Sequence, residues 1–127
     1  MTALVDTCGW IEWLTDGVLA DRYQPYLANP AAVVVPTVVQ HELYKWAKRE
    51  RGEAVALEAV AVTEQGQVQA LGTAVALHAA DLAPAHRLSF ADSLIYGTAR
   101  HLAVTLVTSD SHFEGLPQVE YLAKAAR

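Results

Sequence analysis

Cysteine is nearly absent: Cys8 stands alone among 127 residues. An intramolecular disulfide is therefore excluded, and nothing in the chain calls for an oxidising compartment. No CxxC pair or Cys/His cluster suggests zinc. Long apolar runs are missing too. The longest, such as Ala31–Val35, are far too short to span a bilayer. The first residues, Met-Thr-Ala-Leu-Val-Asp, have neither the basic region nor the apolar core of a signal peptide. The expectation is a soluble, cytoplasmic protein without membrane contact. There is no GxxxxGK[ST] or GxGxxG loop to cradle a nucleotide, and no Gly-x-Ser-x-Gly elbow. A haloacid-type phosphoryl site wants a second Asp two residues after the first, where Cys8 stands after Asp6. The five histidines, at 41, 78, 86, 101 and 112, show no metal-ligand spacing. Positive charge is also short. The net charge of −5 argues against nonspecific coating of DNA. A bound cation would offset part of that negative count.

Apolar residues, by contrast, are plentiful. At 53% hydrophobic, the chain can build one core, and it reads as a single domain over residues 1–127. Ala3-Leu-Val-Asp6 reads as a buried strand ending in an acid. Thr7 is placed to cap a helix carrying Trp10, Ile11 and Leu14. A short helix over Tyr23–Leu27 is broken by Asn29-Pro30. Ala32-Val-Val-Val-Pro36 is β-branched and unalternating, as in a strand covered on both faces. Thr37-x-x-Gln40 has the form of a capping box for a helix that runs to about Arg51 and ends at Gly52. Glu53–Ala59 reads as helix, Val60–Val62 as a weak strand, and Gln67–Leu82 as an Ala-rich helix. Pro84–Leu88 reads as a connection. Ser89-x-x-Asp92 can cap a helix bearing Leu94, Ile95, Ala99 and Leu102. Strands follow at Val104–Val107 and Val119–Leu122, separated by a loop over Ser109–Pro117, and the tail Ala123–Arg127 reads as frayed. Strands alternating with helices imply an α/β fold, with a mostly parallel central sheet of four to five strands and helices on both faces.

In such a sheet, ligands bind beyond the carboxyl ends of the strands. Asp6 ends the first strand, and Asp110 lies three residues past Val107. Glu42 sits in the second turn of the helix leaving the second strand. A right-handed crossover brings the start of the helix bearing Asp92 to the same edge. Singly, each acid has a plain structural use: Asp6 and Asp92 as helix caps, Asp110 in a turn, Glu42 on a solvated helix. Together, carboxylates converging on one point repel one another. A hard divalent cation, Mg²⁺ or Mn²⁺, resolves the repulsion with oxygen ligands. Two such ions about 4 Å apart serve phosphodiester cleavage. One ion or two remain equally open at this point. Lys45, Lys48, Arg49 and Arg51 cluster on one helix, as either a solvated helix end or a phosphate-contacting patch.

Four segments carry a resemblance: Leu4-Val-Asp-Thr-Cys-Gly-Trp-Ile-Glu-Trp-Leu14, Thr37-Val-Val-Gln-His-Glu-Leu43, Leu88-Ser-Phe-Ala-Asp-Ser-Leu-Ile-Tyr96 and Leu106-Val-Thr-Ser-Asp-Ser-His-Phe113. In their order and spacing the chain resembles the PIN-domain nucleases, particularly the VapC-type toxins of toxin–antitoxin pairs. The resemblance implies a PIN-like three-layer sandwich and a Mg²⁺- or Mn²⁺-dependent endoribonuclease acting on tRNA or rRNA. It also implies a homodimer and a cognate antitoxin partner. Asp6, Glu42, Asp92 and Asp110 match the family's acids. Thr7 and Thr108 match its hydroxyl positions, and Glu114 and His112 are candidates where some members carry a further acid. Trp10, Trp13, Tyr44 and Trp46 are candidates to line an antitoxin groove, with a place in the core the equal alternative for Trp10, Trp13 and Trp46. The alternative reading is a PIN-like module that binds RNA or protein without cutting.

Overall fold

The computed structural model describes residues 2–124. Five strands, β1 (Ala3–Val5), β2 (Val33–Pro36), β3 (Gln67–Gln69), β4 (Thr105–Thr108) and β5 (Val119–Tyr121), form one sheet in the order β3-β2-β1-β4-β5. Every pairing in it is parallel. Six helices complete an α/β three-layer arrangement: α1 (Thr7–Leu14), α2 (Ala20–Leu27), α3 (Thr37–Arg51), α4 (Glu53–Thr63), α5 (Thr73–His86) and α6 (Phe90–Leu102). Among the described residues, no helix is long and apolar enough to cross a membrane.

All residues of β1 and β2 are buried, as are Leu106, Val107 and Thr108 of β4. β-Branched and Leu side chains suit strands packed on both faces, and the central three strands carry little else. Trp10, Tyr23, Leu27, Leu43, Ile95, Tyr96 and Phe113 close the core around them. The chain moves from β1 outward to β2 and β3, then crosses back to β4 on the other side of β1. The order therefore reverses between β1 and β4. Such a switch point leaves a crevice at the carboxyl ends of the two strands.

Several expectations needed correction. Gln67–Gln69 is an edge strand and not the start of a helix. Gly66 permits it, because a Cβ there would come within 2.8 Å of the Val33 carbonyl oxygen. The helix that follows begins at Thr73 and runs through Pro84 to His86. Pro84 has no N–H to give the Ala80 carbonyl, so the helix runs through it with one bond fewer. Val60–Val62 belongs to α4, where Thr63 donates its hydroxyl to the Val60 carbonyl. Asp6, not Thr7, caps α1. At α3 no capping box forms: Pro36 is the N-cap, and Gln40 donates to Thr63 and Glu64 instead. Of the expected frayed tail, Ala125–Arg127 lies outside the described residues.

Candidate active site

The crevice at the switch point is a cleft of about 810 Å³, lined by Asp6, Glu42, Asp92 and Asp110 together with Thr7 and Cys8. Each acid arrives there for a local reason. Asp6 follows β1 directly, and its backbone N–H still pairs with the Val107 carbonyl at 3.0 Å. Its Oδ1 accepts from the Thr7 amide at 2.8 Å, which caps α1. Glu42 comes from the second turn of α3. Asp92 lies in the first turn of α6, where the Ser89 hydroxyl accepts its backbone N–H at 3.3 Å. Asp110 caps the short 3-10 turn Ser111–Phe113, accepting the His112 amide at 3.0 Å.

Two threonines tie the set together. Thr108, with 0% exposure, donates its hydroxyl to Asp6 Oδ2 at 2.7 Å and accepts the Asp110 amide at 3.0 Å. Thr7 donates its hydroxyl to Glu42 Oε1 at 2.6 Å. One hydroxyl thus links the ends of β1 and β4, and the other links α1 to α3. Charge-assisted bonds of this length fix carboxylate rotamers.

Electrostatically the site is strained. Burial pushes the Asp6 carboxyl up to about 7, opposed by the bonds from Thr108 and Thr7 and reinforced by the charges of Asp92 and Glu42. Asp92 is also raised, by burial first and then by Asp110, against the opposing effect of His112. His112 Nδ1 lies 3.4 Å from Asp92 and 3.3 Å from Asp110. Oxygen atoms of Asp92 and Asp110 and a ring nitrogen of His112 lie within 4.8 Å of one another, a spacing that can hold a metal ion. Asp6 and Glu42 line the same cleft but fall outside that tight group. Glu114 is exposed and belongs neither to the cleft lining nor to the donor group.

The aromatic candidates divide. Trp46 lines the cleft. Trp10 is 1% exposed in the core and presents no surface to a partner. Its Nε1 has no hydrogen-bond partner, and it packs edge-on against Trp13. Trp13 is half-buried and donates to Gln24; Tyr44 lies under Lys48. Neither lines the cleft.

Sequence reasoning missed a relay beneath Asp6. Tyr23 donates to Ser109 Oγ at 3.0 Å, Ser109 to Cys8 Sγ at 3.4 Å, and Cys8 to Asp6 Oδ2 at 3.7 Å. Burial raises both the Tyr23 hydroxyl and the Cys8 thiol, so both keep their protons and remain donors. It also missed Phe90 and Leu71, which line the cleft although 80% and 45% exposed. Only the place of Phe90, two residues before Asp92, was a signal in the sequence.

The sequence pattern of the PIN domain family matches residues 3–118. No curated protein matches the chain. Solved structures do. A toxin–antitoxin complex from Klebsiella pneumoniae shares 22% identity over 94% of this chain and 96% of that one, with a TM-score of 0.79. VapBC2 from Rickettsia felis, bound to a DNA fragment from its promoter, shares 16% over 95% and 98%, with a TM-score of 0.77. VapC20 from Mycobacterium tuberculosis, described as a sarcin–ricin loop cleaving toxin, shares 19% over 91% and 95%, with a TM-score of 0.75.

Proposed function

The chain belongs to the PIN domain family, and from that premise we propose that it is a metal-dependent endoribonuclease that hydrolyses RNA phosphodiester bonds as the toxin of a VapBC-type pair. The observation that carries the reading is the convergence of Asp6, Glu42, Asp92 and Asp110 on one cleft at the sheet's switch point. Tertiary structure alone has little use for four acids there; burial is the main cause that raises Asp6 and Asp92, and the charges of the neighbouring acids add to it.

The donor set fits a hard divalent cation, Mg²⁺ or Mn²⁺, because it consists of carboxylate oxygens with one imidazole at its edge. When bound, one or two such ions supply Lewis acidity towards the phosphodiester and towards the attacking water. Asp92 and Asp110 would hold the ion, with Asp6 beside them. Thr108 keeps Asp6 and Asp110 at a fixed separation by bonding to both. Thr7 occupies Glu42 Oε1, which leaves Oε2 to orient a water or accept its proton. The buried flank of Asp6 keeps bulk water from one side of the cleft.

Structured RNA, tRNA or rRNA, is the substrate class this reading assigns. One similar structure is described as cleaving the sarcin–ricin loop. The same reading gives the protein a cognate antitoxin, a second copy of itself as partner and a cytoplasmic location. Several of the similar structures are toxin–antitoxin complexes. The test is cleavage of total tRNA and of ribosomal RNA by protein purified without antitoxin, in Mn²⁺, Mg²⁺ or EDTA, beside Asp92→Asn. Discrete products that disappear with EDTA and in the variant are expected. Absence of cleavage of both RNAs in both metals would refute the reading.

A further inference from the structure

The cleft carries a second chemistry beside its carboxylates. Along from Glu42, its wall is one stripe of α3 that includes Val38, His41, Lys45, Trp46 and Arg49. Spacings of three and four residues put these side chains on one helix face. The chain has nine Lys and Arg against fourteen acids, yet two of its bases meet in the cleft with the four acids. Lys48, one turn on, is engaged by Glu53 at 3.5 Å. Among the described residues Lys45 forms no ion pair. Arg49 gives only Nε to Glu50, an exposed contact at 3.0 Å, and so keeps its terminal nitrogens. The same cleft is lined by Phe90, a residue 80% exposed at the start of α6. A phenyl ring left in water, sharing one cleft with two cations and four carboxylates, has the composition of a single-strand binding groove.

We propose that this wall is the strand-holding subsite of the nuclease. Lys45 and Arg49 take backbone phosphates flanking the scissile one, and Phe90 with Trp46 receives an unstacked base. The assignment rests on the ribonuclease reading above. Four residues of helix separate the two cations by a rise of about 6 Å, comparable with the distance between neighbouring phosphates of one strand. An aromatic face reads any base but requires it to be out of a duplex. The subsite therefore selects unpaired nucleotides in a loop or bulge. It also accounts for how a protein of net charge −5 holds a polyanion. The basic charge is placed where the strand runs instead of being spread over the surface.

The test is fluorescence anisotropy with a labelled single-stranded RNA 12-mer and a 12-base-pair RNA duplex. Ca²⁺ replaces Mg²⁺ so that the carboxylates are neutralised during binding. The wild type should prefer the single strand. Lys45→Gln and Arg49→Gln should each flatten the dependence of log K on log salt by about 0.7. Phe90→Ala should weaken single-strand binding about tenfold at every salt concentration, with the slope unchanged. Phe90→Trp should bind as the wild type does. Since Phe90 and Lys45 are exposed, their variants should fold, and matching thermal melts would show it. Wild-type affinity in all the Gln and Ala variants, with tRNA still cut, would overturn the subsite alone and leave the wall as a protein-docking face. Equal affinity for duplex and single strand would remove the unstacked base. Failure of the wild type both to bind and to cut any RNA would overturn the subsite together with the ribonuclease reading.

Discussion

Replacing Asp6 by asparagine tests the electrostatics of the cleft while keeping its shape. The Asp6 carboxyl is 5% exposed and is raised from an ordinary value near 3.8 to about 7. A rise of about 3 in pKa corresponds to about 4 kcal/mol. The sign follows from proton counting. Between pH 4 and 7 the folded chain holds a proton that the unfolded chain has released, so stability falls as pH rises through that window. This contribution of Asp6 is most favourable below the unfolded value and least favourable above pH 7. Asparagine cannot ionise and escapes the loss. It gives up one good bond, because its amide nitrogen would face the Thr108 hydroxyl that now donates to Oδ2, at about 1 kcal/mol. Metal-free Asp6→Asn should therefore be more stable than wild type by about 2–3 kcal/mol at pH 8, and slightly less stable at pH 4. Urea unfolding in EDTA, followed by tryptophan fluorescence at both pH values, measures this. Asp92 is raised as well, so the variant should keep a shallow slope. At pH 8, Mg²⁺ or Mn²⁺ at a hundredfold excess over Kd should stabilise the wild type by about 2.7 kcal/mol, and the variant by much less. Equal pH dependence in the two proteins would refute the argument that buried charge on Asp6 opposes folding.

Three further outcomes follow from the geometry. Thr108→Val keeps the volume but leaves Asp6 Oδ2 with only the long Cys8 contact and the Asp110 amide without its partner. It should cost about 1–3 kcal/mol in urea melts and at least tenfold in RNA cleavage, whereas a purely structural role would leave the activity of the folded fraction intact. Gly9→Ala should cost about 1–3 kcal/mol, since the new Cβ would overlap the Tyr23 ring and come within 2.6 Å of Val5 Cγ1; a neutral melt would sink that packing argument. Ala103 ends α6 in the left-handed region at φ 56. Ala103→Gly should gain about 0.5–1 kcal/mol by removing that strain, with cleavage unchanged.

The parts of the fold legible in the sequence are those buried on both faces. Val33-Val-Val and Leu106-Val have no other plausible use than a central strand, and the acids that follow β1 and β4 announce the edge where the site lies. Gln67-Val-Gln was not legible, because an edge strand with half-exposed glutamines shows no apolar run. It is selected by the approach of Gly66 to β2, a tertiary event. Pro84 misled as well: it marks a helix boundary by rule, yet α5 continues through it to His86. At the site, the carboxylates and threonines could be named from spacing. Tyr23 could not, since its hydroxyl meets Ser109 across 86 residues of sequence. Trp10 was open between two uses, core and interface, and the structure takes the first. Its ring is core and its N–H is left unpaired.

The way this site is neutralised separates structure from function. A protein that needed these carboxylates only for folding would pair them internally, as buried charges normally are. Among the described residues no lysine or arginine forms an ion pair with Asp6, Glu42, Asp92 or Asp110. Their partners are hydroxyls, amides, a thiol and the His112 ring. Hydroxyls and amides orient a carboxylate and cancel none of its charge. The relay from Tyr23 through Ser109 and Cys8 to Asp6 is likewise neutral throughout, because burial keeps the phenol and the thiol protonated. The cations that line the cleft, Lys45 and Arg49, make no ion pair with the acids. The fold thus orients these acids largely with neutral groups and pairs none of them with a lysine or arginine. The balance is left to whatever enters the cleft, and a divalent cation together with an RNA phosphate meets both halves of that arrangement.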